Sequence, residues 1–142
     1  GGIVSLGVDG TSANEAGDMA QALYSAFTVH LRINGPGATT AETVMHWATP
    51  GGATALGFDD VGTLEPGRAA DIVLIELAHP RYFGHHDPTI APIISGGEFH
   101  VRHSFVGGRP LVENGGVPWL DVEKLGADAA RTVEAMKAAA AT

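Results

Sequence analysis

The stretch that most constrains the fold is a mainly apolar run at residues 3–8, which ends in Asp9-Gly10. A short apolar run bounded by glycines is typical of a fully buried strand in a parallel sheet. An acidic residue directly after the carboxyl end of such a strand lies where α/β folds place their chemistry. Asp9 is therefore the first candidate for a functional residue.

Composition restricts the class of protein. The 142 residues begin without an initiator methionine and inside this predicted strand, so we expect a fragment whose missing part lies upstream. A net charge of −8 argues against nucleic acid and anionic membranes as partners. No apolar run is long enough to span a bilayer. The absence of cysteine excludes disulfides and thiolate metal sites, which fits a cytoplasmic protein.

The part after Asp9 is predicted to be helical. Ser12 and Glu15 have the spacing of a capping box, with Asn14 as an alternative cap, for a helix that runs to about residue 33. A second helix is expected at 40–49, capped by Thr40 or Thr39. A short helical stretch at 52–56 then ends at Gly57.

The second half is predicted to be richer in strands. Residues 71–77 form the most apolar strand pattern, apolar on both faces, and 79–88 form an irregular loop. Residues 89–95 fit either a short helix or an extended segment. Residues 99–106 alternate with period two and turn at Gly107-Gly108 into 109–113, which predicts a β-hairpin. A terminal helix is expected at 121–141.

Seven histidines raise the question of a metal site, but their spacing does not favour one. His30 falls on the apolar stripe of the first helix, as a core or interface histidine does, and His46 lies in the second helix. His100 and His103 are three apart on a strand and therefore point to opposite faces. The cluster at 85–87, His-His-Asp, is the most ligand-like, yet adjacent residues rarely converge on one ion, and loop packing explains it better.

Several short sequence motifs occur in a fixed order over about residues 3–115. They are Leu-Gly-Val-Asp-Gly at 6–10 with Asn14-Glu15, Ala-Thr-Pro-Gly-Gly-Ala-x-x-Leu-Gly at 48–57, Gly-Thr-Leu-Glu-Pro-Gly at 62–67, Ala-Asp-Ile-Val at 70–73 and Val-Gly-Gly-Arg at 106–109. Each is weak alone. The ordered set resembles the C-terminal part of the amidohydrolase superfamily, in its cytosine/guanine-deaminase-like and triazine-hydrolase-like branch.

The resemblance implies an α/β fold. Residues 1–57 would be the C-terminal piece of a (β/α)₈ barrel, with its last strand and helices. Residues 58–116 would be the C-terminal half of a small composite β-sandwich, and 117–142 would be a terminal helix.

The resemblance also implies a site. Asp9 matches the family's metal-binding carboxylate, which orients a water on one divalent metal, zinc or iron, accepts its proton and passes it to the leaving amine. The other ligands, including a His-x-His pair, would lie upstream. Asn14 matches a residue that supports the active-site loop, although a helix cap explains it as well. The family usually reads Ser-Asn, so the shifted Ser12 inherits no role. A plain Asp-Gly turn is the alternative for Asp9.

The implied function is hydrolytic deamination of a small heteroaromatic base of the pterin, 8-oxoguanine or cytosine type. The implied assembly is a homo-oligomer. This chain alone is expected to be inactive. A triazine-type amino- or chlorohydrolase is the alternative within the family. A small α/β binding module without catalysis is the alternative outside it.

Overall fold

The first long helix begins later than its sequence pattern predicts. The computed structural model describes residues 2–10 and 16–141. Helix α1 (Met19–Asn34) starts after Asp18, whose side chain accepts a hydrogen bond of 2.8 Å from the backbone N–H of Ala20. The expected start near Ser12 or Asn14 is therefore wrong, because Asp18 supplies the cap instead. Both predicted caps lie outside the described residues.

Helices α2 (Ala41–Ala48) and α3 (Pro50–Leu56) meet at a sharp corner. Thr40 caps α2 as predicted, accepting a 3.1 Å hydrogen bond from the N–H of Thr43. One residue, Thr49, separates the two helices, and Pro50 occupies the first turn of α3, where its missing N–H costs nothing. Gly57 ends α3 with a left-handed backbone (φ 79°), which confirms the predicted stop.

The strands form one antiparallel sheet in the order β1-β2-β3. Strand β1 (Ile72–Ile75) pairs with β2 (Val101–Val106), which pairs with β3 (Arg109–Glu113) through the predicted hairpin. Strand β1 is shorter than the predicted 71–77 and is not covered on both faces, since Val73 is 54% exposed. The hairpin prediction is confirmed.

Short helices and one long helix complete the chain. A 3₁₀ turn (Pro80–Tyr82) interrupts the predicted irregular loop, and α4 (Ala91–Ile94) resolves the segment that the pattern left open. Helix α5 (Val122–Ala140) is capped by Asp121, and none of its residues is buried. Among the described residues, no helix has the length and apolar character needed to cross a membrane.

The core joins the helices to the segment that follows β1. Its largest fully buried side chains are Leu23 of α1, Val44 of α2, Tyr82 of the 3₁₀ turn and Ile93 of α4. Burial of each such side chain contributes about 1.5–3 kcal/mol. The loop at 79–88 is thus anchored in the core of this chain through Tyr82.

The buried strand predicted at residues 3–8 is not present. Residues 2–10 have no regular secondary structure, and Ile3 is 66% exposed. A buried parallel strand needs a hydrogen-bonded neighbour on each side. The strands of the described chain pair only with one another. The apolar pattern at 3–8 is therefore correct as a sequence observation but has no sheet to join here.

The Tyr82 side chain generates a stability prediction. Its hydroxyl is buried and has no hydrogen-bond partner among the described residues, and an unsatisfied buried polar group costs about 1–3 kcal/mol. We expect Tyr82→Phe to raise the free energy of unfolding by about 1 kcal/mol. Tyr82→Ala should lower it by about 3–5 kcal/mol.

Urea denaturation measures both changes. Tyr24→Phe is the matched control, because it makes the same chemical change at an exposed tyrosine. A clear loss of stability in Tyr82→Phe, without one in Tyr24→Phe, would show that the buried hydroxyl has a partner.

Candidate functional site

Asp9 sits in an unusual backbone conformation at the end of the segment 2–10. Its φ of 65° is in the left-handed region, which glycine adopts freely and which Asp and Asn adopt more often than other residues. Its Oδ1 accepts a 2.7 Å hydrogen bond from the N–H of Gly10. The side chain is exposed, and among the described residues Oδ2 has no hydrogen-bond partner. Strained conformations of this kind cluster at functional sites.

Asp9 can supply one ligand to a metal ion, but the described residues around it do not supply a complete metal site. Within residues 2–10 and 16–141, no group of three or more His, Cys, Asp or Glu side chains is arranged to hold an ion. An exposed carboxylate oxygen is a suitable ligand for a divalent metal. Asn14, the predicted support of this loop, lies outside the described residues.

The contacts of the His85-His86-Asp87 cluster lie within its own loop. Asp87 Oδ1 accepts hydrogen bonds from the Thr89 N–H (2.8 Å) and hydroxyl (2.6 Å). The Thr89 hydroxyl and then its N–H, with smaller help from the adjacent imidazoles, lower the pKa of Asp87. The ring Nδ1 of His85 contacts the carbonyl of Tyr82. These hydrogen bonds all lie within the loop itself.

Three other histidines follow the predictions only in part. His30 is exposed and touches Trp47 edge-on, with ring centroids 5.5 Å apart, so it is not a core histidine. His100 and His103 contact different rings, His79 and Phe105 respectively, and so do not converge. That agrees with their predicted opposite faces.

The sequence analysis missed an aromatic cluster beside the sheet. The rings of His79 and His100 stack with centroids 3.8 Å apart, and Tyr82 meets both edge-on at 6.4 Å. His79 Nδ1 also accepts a hydrogen bond from the N–H of Arg81. The alternation of 99–106 gave the face of His100, but no local signal brings residue 79 against it.

An open groove of about 610 Å³ lies beside this cluster. It is lined by Glu76, His100 and Arg102, among others. Glu76 and Arg102 form an ion pair of 2.6 Å, and the other Glu76 oxygen accepts from the N–H of Ala78 at 2.9 Å. Because its two charges neutralise each other, the groove offers no free charge to a ligand. Asp9 remains the better candidate.

Comparison with known proteins decides the family. The model of the Amidohydrolase family matches residues 1–111. The chain belongs to the amidohydrolase family. The family membership predicted from the ordered set of sequence motifs is therefore confirmed.

Curated amidohydrolase relatives include deaminases of heteroaromatic bases. The chain is 38% identical to an isoxanthopterin deaminase from an unknown prokaryotic organism, over 92% of the chain and 30% of that protein. It is 35% identical to an 8-oxoguanine deaminase of Pseudomonas aeruginosa, over 88% of the chain and 28% of that protein. The chain thus spans a little under a third of the length of these relatives.

Solved amidohydrolase structures superpose closely on the chain. An amidohydrolase from an environmental sample of the Sargasso Sea superposes with a TM-score of 0.89 and 36% sequence identity. The match covers 99% of this chain and 32% of the amidohydrolase chain. A zinc-bound adenosine deaminase from Xanthomonas campestris covers 92% of the chain and 30% of its own, with a TM-score of 0.86 and 28% identity. A mutant of the atrazine chlorohydrolase of Arthrobacter aurescens, in complex with zinc and atraton, superposes with a TM-score of 0.76 and 33% sequence identity. That match covers 84% of this chain and 27% of the chlorohydrolase chain.

The Glu76 ion pair generates a pH prediction. Hydrogen bonds from the Ala78 N–H and from Arg102 lower the pKa of Glu76 below its ordinary value. A carboxyl whose folded pKa is lowered stabilises the fold above its unfolded pKa, and that contribution is lost as pH falls through the folded pKa. We expect Glu76→Gln to lower the free energy of unfolding at pH 7, and the difference to shrink well below about pH 4.

Urea denaturation of wild type and variant at several pH values checks this. Glu98→Gln is the control, since Glu98 is exposed and forms no ion pair with a described residue. A difference that stays constant between pH 7 and pH 3 would rule out the charge of Glu76 as its source.

Proposed function

We propose that the protein carrying this sequence is a metal-dependent amidohydrolase that removes an amino group from a heteroaromatic base by hydrolysis. The observation that carries this proposal is Asp9, an exposed carboxylate held in a left-handed backbone at the end of a segment with the family's sequence motif. The named relatives support the substrate class, since isoxanthopterin and 8-oxoguanine are both bicyclic heteroaromatic compounds.

In this proposal Asp9 acts first as a general base and then as a general acid. Asp9 would be one ligand of a divalent metal, which would supply a polarised water for attack at neutral pH. Asp9 uses Oδ2 to orient that water and accept its proton, while Gly10 holds Oδ1. It then passes the proton to the departing amine. Water adds to the ring carbon, the carbon–nitrogen bond breaks, and the products are ammonia and the ring carbonyl.

The metal and the assembly are part of the same proposal. The zinc bound in two structural relatives supports zinc over iron. Residues 1–57 are proposed to belong to a (β/α)₈ barrel, 58–116 to a composite β-sandwich and 117–142 to a terminal helix. The family resemblance also supports a homo-oligomer, and the lack of cysteine supports a cytoplasmic enzyme.

The test is Asp9→Asn in the protein that carries this sequence. The amide keeps the size of the side chain but cannot accept the proton, so turnover should fall by about 10²–10⁴-fold. The melting temperature should stay close to that of the wild type. Ammonia release is measured with isoxanthopterin and with 8-oxoguanine as separate substrates.

Asp59→Asn is the control, because it makes the same chemical change at another exposed aspartate. Near-normal turnover in Asp9→Asn would remove Asp9 from the mechanism. Chloride release from a chlorinated triazine, with no ammonia from either bicyclic substrate, would favour the triazine-hydrolase alternative, which the atrazine chlorohydrolase similarity supports.

A further inference from the structure

Gly51 is a buried residue of α3 whose missing side chain leaves room for another part of the backbone. A Cβ atom built on Gly51 would lie 2.5 Å from the carbonyl oxygen of Val4 and 3.0 Å from that of His46. Val4 belongs to the segment 2–10, which carries Asp9. The first turn of α3 therefore touches this segment through a contact that only glycine permits.

We propose that Gly51 is a positioning residue for Asp9. It lets the Val4 carbonyl lie against α3, and this contact sets where the segment 2–10, and with it the Asp9 carboxylate, stands. The inference rests on the proposed function for its effect on turnover, but the contact itself is independent of that function.

The backbone conformation of Gly51 does not explain the glycine. Gly51 lies inside a helix, where glycine is among the worst residues, and its φ is not in the left-handed region. The close approach does explain it. Both crowding atoms are backbone oxygens, which cannot rotate away as a side chain does. To reach an ordinary contact, the Val4 oxygen and a Cβ would have to separate by about 1 Å.

The segment 2–10 is the part that would yield. The first turn of α3 also lies close to Gly62, where an added Cβ would lie 2.9 Å from the Cα of Pro50. The carbonyl of His46 belongs to α2, which packs in the core through Val44. Residues 2–10, in contrast, have no regular secondary structure in the part of the chain that the structure describes. A methyl group at Gly51 therefore displaces Val4, five residues before Asp9, rather than α3.

The experiment compares Gly51→Ala with Gly52→Ala in the protein that carries this sequence. Gly52 is the next residue of the same helix, and a Cβ there meets its nearest atom, the Trp47 carbonyl oxygen, at an ordinary 3.8 Å. Both changes replace glycine by a better helix former, so the variants differ in the crowding of the Val4 carbonyl oxygen at 2.5 Å and, less severely, of the His46 carbonyl oxygen at 3.0 Å. Hydrogen exchange of the peptide spanning 3–8, kcat and KM are measured for each.

Gly51→Ala should exchange faster at 3–8 and lose about 10–100-fold in kcat, because a misplacement near 1 Å costs that much. KM should change little, since substrate binding is not the target. Gly52→Ala should match the wild type in all three. Wild-type exchange at 3–8 in Gly51→Ala would overturn the positioning role, whatever the turnover. Faster exchange with a wild-type kcat would also overturn it, since Asp9 would not depend on the contact.

A second measurement needs no substitution and covers a variant that fails to fold. In the unsubstituted protein, nuclear Overhauser effects should connect the α-protons of Gly51 with Val4 and Ser5. Their absence would overturn the proposal. If they are present and the exchange of Gly51→Ala rises, but the wild type deaminates no heteroaromatic base, then the contact stands and the proposed function fails.

Discussion

The corner between α2 and α3 is the constraint on which this structure depends. A single residue separates the two helices, and Thr49 closes the corner by donating from its N–H (3.0 Å) and its hydroxyl (2.8 Å) to the carbonyl of Met45. Pro50 then starts α3 without needing a hydrogen-bond acceptor. Because the corner has no spare residues, the first turn of α3 stands at a fixed distance from α2. The segment 2–10 and the loop at Gly62 both lie close to this turn.

Features that depend on neighbouring residues could be predicted from the sequence. The Thr40 cap, the Gly57 stop and the hairpin at Gly107-Gly108 each follow from the chemistry of a few adjacent positions. The start of α1 could not be predicted as reliably, since Ser12, Asn14 and Asp18 all suit an N-terminal cap, and it is Asp18 that caps α1. The strand predicted at 3–8 is absent from the described chain for another reason. An apolar pattern reports that a segment suits a sheet, but pairing depends on strands elsewhere in space.

The candidate site likewise has features that local sequence predicts and features that it does not predict. Asp9 was found because a carboxylate after an apolar run is a local pattern, and the resemblance gave that pattern a meaning. Its left-handed backbone, the property that marks it in the structure, has no signature beyond the following Gly10. The stack of His79 on His100 joins residues on either side of the 3₁₀ turn and α4. Its formation depends on the path of the intervening chain, which the sequence pattern left open at 89–95.

Two adjacent glycines in α3 show that this corner is not optimised for stability alone. A glycine in a helix interior costs about 1 kcal/mol relative to alanine, and Gly51 and Gly52 lie in the first turn of α3. At Gly52 the neighbouring atoms leave room for a methyl group, whereas at Gly51 they do not. The cost at Gly51 is thus tied to a backbone contact with the segment that carries Asp9. A helix this short gains little from its own hydrogen bonds, so its place must come from packing against α2 and the turn at Gly62. Stability supplied by the core at Val44 and Leu23 therefore allows a weak helix to act as the support of the candidate site.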